Sequence, residues 1–325
     1  MWQGNDMSSP PPITAPVIVL VGPTAIGKTA LSLEIAERLG CEIISMDSMQ
    51  VYRTMDIGTA KATVEERLRV RHHLIDIVDP DDQYDAARFV ADARTAITEI
   101  VERGKTPLIT GGTGLYLAAL INGLFAEVVV PAEIRDHFRQ RLQVEGREVL
   151  HRELCAVDPE SGARVHVNDT QRLLRGLEIY RASGVPWSEH IRQQAGGVSK
   201  TLFERIFQAG LRCERQQLYD RIQLRTFKMM NDEFQQEVES LLARGYRPDL
   251  PAMQSIGYRH MVGCIQGRWD RPTATDALVQ DTRRYAKRQC TWFGRSQDIH
   301  WYDVDRPGTV LADMDRFLGQ ACRLC

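Results

Sequence analysis

No stretch of this chain is apolar for anything near the roughly 20 residues that a membrane-spanning helix needs. The opening MWQGNDMSSPPPITAP also lacks the basic-then-apolar order of a secretory signal. Both absences lead us to expect a cytoplasmic protein. A charge of one sign is missing too: 41 basic against 43 acidic side chains leave −2, so any contact with nucleic acid has to come from local clusters. Cysteine is sparse. Its odd number, at Cys41, Cys155, Cys213, Cys264, Cys290, Cys322 and Cys325, fits reduced thiols rather than a disulfide framework. The single CxxC, Cys322 with Cys325, has no second pair and no nearby histidine, and reads as a tail rather than a zinc site. Repeats are absent, and low complexity is confined to residues 1–16, where Pro10, Pro11, Pro12 and Pro16 mark a flexible tail. What remains, 43% hydrophobic over 325 residues, fills one large domain with an insertion or two modest ones.

Along the chain, apolar runs alternate with helical periodicity. Val17–Val21 is a short buried strand, and 30–39 reads as a helix with Leu31, Ile35 and Leu39 on one face, stopped by Gly40. Ile43 and Ile44 mark a second strand. Phe89, Val90, Ala93, Ile97 and Ile100 mark an amphipathic helix leading to a third strand at 107–110. This alternation predicts an α/β fold, a parallel sheet covered by helices on both faces, over a core domain at 17–131. From Pro131 the pattern turns helical and charged. Ile134, Phe138 and Leu142 recur at i+4, and Asn168 with Gln171 resembles a capping box before QRLLRGLEIY, giving a helical insertion at 132–202. Residues 206–211 return the chain to the sheet. One long helix is then expected from Arg215 to Arg244, carrying Leu218, Ile222, Met229, Phe234, Val238 and Leu241, within a segment 203–325.

Chemistry concentrates at a few motifs. Gly22, Pro23, Thr24, Ala25, Ile26, Gly27, Lys28 and Thr29 form GPTAIGKT, which fits GxxxxGK[ST] between a strand and a helix. Such a loop wraps a di- or triphosphate with its backbone amides, Lys28 adds charge, and the Thr29 hydroxyl can ligate Mg²⁺. The motif does not say which phosphate. Asp47, in DSMQVY, falls just past the second strand on the loop's side of the sheet, where a carboxylate serves as a base, a helix cap or an outer ligand of Mg²⁺. GGTGLY (111–116) follows the third strand at the same edge. Its glycines permit close approach and Thr113 offers a hydroxyl, although a plain strand-to-helix turn also explains it. Arg225 lies on the apolar stripe between Ile222 and Met229, where a phosphate or a structural carboxylate would satisfy it, unless its stem reaches water. Thr282 to Arg295 carries Arg283, Arg284, Lys287, Arg288 and Arg295 without one acid, interleaved with Tyr285, Trp292 and Phe293. That mixture suits RNA phosphates and unstacked bases, or equally a solvated basic face. Arg172 and Arg175 add a second basic face. His72 and His73 lack metal-like spacing and read as packing or surface histidines.

GPTAIGKT, ISMDSMQVYRTMDIGTAK, HHLIDI, GGTGLY, NDTQRLLRGLEIY, QSIGYR and TRRYAKRQCTWF, in this order, closely resemble the bacterial tRNA dimethylallyltransferase family from about Val17 to Trp301. The resemblance implies transfer of a dimethylallyl group from dimethylallyl diphosphate to N6 of adenosine 37 in tRNA. It also implies a P-loop kinase-like core and a helical insertion that grips the anticodon stem-loop, with Mg²⁺ as cofactor and a monomer as the expected state. By motif position it assigns Asp47 as general base, Thr113 as a contact to the target nucleotide and Arg225 as a diphosphate clamp. The tRNA surface it implies comprises Asp47, Ser48, Met49 and Gln50; Gln171, Arg172, Leu173, Leu174 and Arg175; Gln254, Ser255, Ile256, Gly257, Tyr258 and Arg259; and Thr282, Arg283, Arg284, Lys287, Arg288 and Gln289. Ile26 departs from the small residue usual at that loop position, which should alter loop packing more than activity. The zinc finger of eukaryotic relatives has no counterpart here. Two other functions share the P-loop: an ATP-dependent small-molecule kinase, which leaves the basic aromatic segment without a purpose, and a nucleotide-switched RNA-binding protein, for which we find no NKxD and no convincing strand ending in a Walker B acid pair.

Overall fold

The computed structural model describes residues 12–123, 128, 130–196 and 202–322. Two compact units divide the chain, one from the segments up to Ile121 and from Leu202 onward, the other Asn122–Thr201.

The first unit is built on a six-stranded, wholly parallel sheet. Its N-terminal part contributes β1 (Val17–Val21), α1 (Lys28–Leu39), β2 (Cys41–Met46), α2 (Val64–Arg69), β3 (His72–His73), α3 (Ala86–Glu102), β4 (Thr106–Gly111) and α4 (Gly114–Asn122). In the other unit the helices are α5 (Ala132–Glu145), α6 (Arg147–Val157), α7 (Pro159–Arg164), α8 (Thr170–Ser183) and α9 (Trp187–Gly196). The chain then returns to the first unit with β5 (Ile206–Arg212), α10 (Arg215–Met229), α11 (Asp232–Ala243), α12 (Tyr258–Ile265), α13 (Arg271–Phe293), β6 (Ile299–Asp303) and α14 (Pro307–Cys322). The strand order is β3-β2-β4-β1-β5-β6, so β1 lies between β4 and β5.

Every residue of β1 is fully buried, because helices cover both sheet faces. The two-residue side-chain period then splits the core in two: Val17, Val19, Val21, Ile44 and Ile109 join one cluster, and Ile18, Leu20, Ile43 and Leu108 the other. Gly40 ends α1 in the left-handed conformation, where the sequence placed the stop. The Asn122–Thr201 unit has its own core of Phe138, Leu150, Leu154, Val165, Leu173 and Leu177.

Several elements depart from expectation. The helix expected over Arg215–Arg244 is two helices, because Asn231 turns extended and its side chain accepts the Phe234 amide as the cap of α11. The cap of α8 is Asp169 rather than Asn168: its carboxylate accepts the Arg172 amide, which starts the helix one residue later. Residues 12–16 are not a loose tail, since Ile13 pairs with Phe203 and exchanges backbone hydrogen bonds with Leu202 and Glu204. The first eleven residues and Cys325 lie outside the described residues. His72 and His73 form a short edge strand, and His73 Nε2 is in hydrogen-bond contact with the Glu42 carboxylate at 2.7 Å.

Candidate active site

Loops leaving the carboxyl ends of β2, β4 and β1 stand side by side because those strands are neighbours. The first is the Gly22–Thr29 loop. Gly27 caps α1 at φ 109°, and Ala25 holds φ 64°, a value uncommon for a residue with a side chain. With neither a side-chain cap nor an acid in its first turn, α1 leaves its leading amides open to an anion. Ile26 points away from the ligand side and is fully buried in the core, so its departure from the family pattern is a matter of packing. Lys28 Nζ folds back to donate to the carbonyls of Gly22 and Pro23, both at 2.9 Å. Burial pulls its pKa down to about 8, against the opposing influence of the Asp47 carboxylate.

Arg225, on α10, donates from Nη1 to Thr24 Oγ1 at 3.2 Å and makes no ion pair with a carboxylate among the described residues. Burial lowers its pKa, with Asp47 partly offsetting that cost. A largely desolvated guanidinium without a bound carboxylate suits an anionic ligand better than a structural salt bridge. Its helix neighbour Arg221 donates to Ile26 O at 2.9 Å and braces the loop from beneath.

Asp47 closes a turn after β2: Oδ1 accepts the amides of Met49 at 2.8 Å and Gln50 at 3.3 Å, and Oδ2 has no hydrogen bond among the described residues. Thr113 Oγ1 accepts the Ser48 amide at 3.3 Å, which ties the β4 loop to the β2 loop. Gln50 looks inward, accepting from Ser45 and donating to Ala60 O. The backbone at 56–58 is clamped from α11, where the Glu237 carboxylate accepts the amides of Asp56, Ile57 and Gly58 and the hydroxyl of Tyr258.

Two cavities, of about 410 and 390 Å³, share Thr24, Asp47, Thr59, Arg225 and Tyr285 as lining. The larger has an apolar wall of Met49, Ile222, Met229, Ile256 and Leu278, with Ser48, Ser255, Arg259, Thr282 and Arg288 around it. Its counterpart is lined by Lys28, Thr29, Ser32, Ser45 and Thr110. Thr110 Oγ1 and Ser255 Oγ are buried without a partner. Among the described residues no three His, Cys, Asp or Glu side chains cluster to hold a metal. Thr29 and Thr110, the latter with its unpartnered hydroxyl, nevertheless line the smaller cavity with hard oxygens of the kind Mg²⁺ takes alongside a phosphate ligand.

The residues expected at a tRNA surface divide. Arg284, Lys287 and Arg288 are exposed on α13, as are Gln171 and Arg172 on α8, with Arg175 and Leu174 half-buried. Gln254 is exposed and donates to Pro248 O. Leu173 is not a surface residue: its side chain is 0% exposed in the core of its own unit. Tyr258 is likewise fully buried, bonded to Glu237, and Gly257 is buried beside it. Arg283 lies over the Tyr219 ring at 5.0 Å and donates to Gln223, which pins α13 to α10. Phe293 is core, so it offers no stacking face, whereas Trp292 is 40% exposed. Gln289 is 5% exposed and bonds the phosphate loop instead of solvent.

Sequence reasoning passed over Asp281, and it took Tyr285 only as a stacking aromatic. Helical spacing was the available signal, since 281, 285 and 289 recur at i+4 and share one face of α13. Asp281 accepts from Arg284, His260 and Arg259 beside the larger cavity. The Tyr285 hydroxyl, raised in pKa by burial and then by the Asp47 carboxylate, stays protonated where the two cavities meet.

The IPP transferase family model matches residues 50–297. The chain belongs to the IPP transferase family. Among its relatives is the tRNA dimethylallyltransferase of Desulfotalea psychrophila, 48% identical over 93% of this chain and 97% of that protein. A tRNA dimethylallyltransferase of Desulfosudis oleivorans is 45% identical over 88% and 90%. Among solved structures, the tRNA isopentenylpyrophosphate transferase of Bacillus halodurans covers 96% of this chain and 99% of its own at 37% identity and a TM-score of 0.69. A eukaryotic dimethylallyltransferase acting on tRNA is 28% identical, with a TM-score of 0.73 over 90% of this chain and 74% of its own. Membership of the IPP transferase family favours a transferase over the kinase and RNA-switch alternatives. No helix among the described residues is long and apolar enough to cross a membrane.

Proposed function

We propose that this IPP transferase moves the dimethylallyl group of dimethylallyl diphosphate to N6 of adenosine 37 in tRNA and releases diphosphate. The observation that carries the reading is the meeting of an anion-binding half, Lys28, Thr24 and Arg225, with the Asp47 carboxylate where two cavities share their lining.

The diphosphate occupies the Gly22–Thr29 loop, and the five-carbon chain lies on the apolar wall of Met49, Ile222, Met229, Ile256 and Leu278. In the transfer step the N6 lone pair attacks C1, the C1–O bond breaks, and its electron pair leaves with the diphosphate. Asp47 takes the proton that N6 loses. An exocyclic adenine amine is a poor nucleophile, so the main lever is stabilisation of the leaving group by charges fixed in advance: Lys28, Arg225 and the loop amides. Thr113 and the Ser48 amide fix the edge of the target nucleotide's site. Mg²⁺, which Thr29 and Thr110 would help to hold, would supply further charge neutralisation at the departing diphosphate. The target base has to leave its stack to reach this depth, and exposed Arg284, Lys287 and Arg288 with Arg172 and Arg175 neutralise the tRNA backbone. Cytoplasmic location and a monomeric state belong to the same proposal.

Mass spectrometry of tRNA nucleosides after incubation with the protein, Mg²⁺ and dimethylallyl diphosphate tests it. N6-dimethylallyladenosine should form without ATP. Strict dependence on ATP, or an unmodified adenosine 37, would refute the reading.

A further inference from the structure

Gln289 sits on the helix that carries the exposed cations, yet its amide turns the other way. Oε1 accepts the Thr24 amide at 2.8 Å, and Nε2 donates to Gly112 O at 2.9 Å. The opposite orientation of the amide would set donor against donor and acceptor against acceptor, so only one fits. β1 and β4 stay in register as far as Val21 and Gly111, and Thr24 and Gly112 lie just past that point, where their loops separate. Gln289 therefore bridges the first gap beyond the sheet. Gly112 makes room for it: a Cβ there would come within 2.2 Å of Nε2. Further along α13, Trp292 fills the space that a side chain on Gly114 would need. The inner face of α13 is thus docked on the GGTG loop while Arg284, Lys287 and Arg288 face solvent.

We infer that Gln289 is a positioning residue for diphosphate: it sets the separation of the phosphate loop and the GGTG loop and does not touch tRNA. The inference rests on the diphosphate reading above. It makes Gln289 act through Thr24, whose hydroxyl also receives Arg225.

Titration of inorganic diphosphate into wild type, Gln289→Met and Gln289→Glu, with tRNA binding measured in parallel, tests it. Gln289→Met loses both bonds and should bind diphosphate about 30-fold more weakly, the effect of two ordinary hydrogen bonds. Gln289→Glu keeps the acceptor but, when ionised, sets a carboxylate oxygen against Gly112 O and the incoming anion. It should be as weak as Gln289→Met at pH 8. It should recover toward wild type, compared at the same pH, as acid protonates the new side chain and restores a donor. Affinity for tRNA should stay within about twofold in both variants. Unchanged diphosphate binding in Gln289→Met overturns the inference, and a loss confined to tRNA would also make Gln289 a tRNA contact. Parallel loss of both ligands with no acid recovery in Gln289→Glu would make the residue merely structural and overturns it too. A wild-type protein that binds no diphosphate overturns the underlying reading and this inference together.

Discussion

Asp47→Asn should slow single-turnover prenyl transfer by roughly 100- to 10,000-fold, the usual contribution of a positioned general base. The same protein should stay folded and bind diphosphate. The turn geometry makes asparagine the informative replacement. Oδ1 accepts the Met49 and Gln50 amides, and an asparagine oxygen can keep both bonds. Asp47→Ala loses both; at about 1.5–3 kcal/mol for each bond to a charged acceptor, the loop after β2 would be weakened by more than about 3 kcal/mol for reasons unrelated to proton transfer. Removing the charge also takes away the carboxylate that competes with an incoming anion for Lys28 and Arg225; because that carboxylate also keeps the Lys28 pKa up, the comparison is made well below pH 8, where Lys28 stays protonated. Diphosphate should therefore bind Asp47→Asn at least as tightly as wild type. The assay is a rapid-quench single turnover at saturating tRNA, with diphosphate affinity measured calorimetrically on the same preparation. A near-normal rate for Asp47→Asn would refute base catalysis, and a collapse of its diphosphate binding would refute the electrostatic account.

Arg225→Ala should cost about 100- to 1,000-fold in the transfer rate, as loss of a fixed transition-state donor does. Its tRNA affinity and ligand-free thermal stability should hold, because no carboxylate among the described residues loses an ion pair with it; a large drop in ligand-free stability with a retained rate would make the residue structural. Replacing Lys287 and Arg288 with alanine should flatten the salt dependence of tRNA binding by roughly 0.9 per lost phosphate contact on the log–log slope, and an unchanged slope returns α13 to a solvated face. Glu42 is held at a pKa of about 2, first by hydrogen bonds from Arg103 and also by His73, against the cost of burial. A depressed carboxyl pKa stabilises the fold above pH 4.5, and that contribution is lost as pH falls from 4.5 toward 2. Acid unfolding should therefore cost wild type roughly 3 kcal/mol more than Glu42→Gln over that window; equal slopes in the two proteins would contradict this.

What the sequence disclosed follows from which signals are periodic. Val17–Val21, the α3 stripe and 206–211 are read directly because burial on both sheet faces demands largely apolar strands, even with Gln208 inside one of them, and helix packing demands a stripe. The break at Asn231 escaped because the apolar spacing from Leu218 to Leu241 runs on across it, and a cap leaves no mark in hydrophobicity. GPTAIGKT was legible as a strand–loop–helix motif, and Asp47 as the residue after a strand. Gln289 was not legible. A polar side chain in a basic run reads as solvated, and only the fold shows that it turns toward Gly112, 177 residues earlier in the chain. Leu173 and Tyr258 failed as surface residues for the converse reason, since contiguous motif spans do not separate the inward side chains of a helix from the outward ones.

The place of β1 between β4 and β5 has a consequence for synthesis. A nascent chain that has emerged as far as Ile121 already holds the phosphate loop, Asp47 and Thr113, but β1 then has a neighbour on one side only. Its other edge waits for Ile206–Arg212, and Arg225, Glu237 and Gln289 come later still. In the interval the Asn122–Thr201 segment, which has its own core, can fold as a unit. β1 thus carries an open edge until Ile206–Arg212 emerges, and ribosomes stalled before Ile206 should yield chains that aggregate through β1.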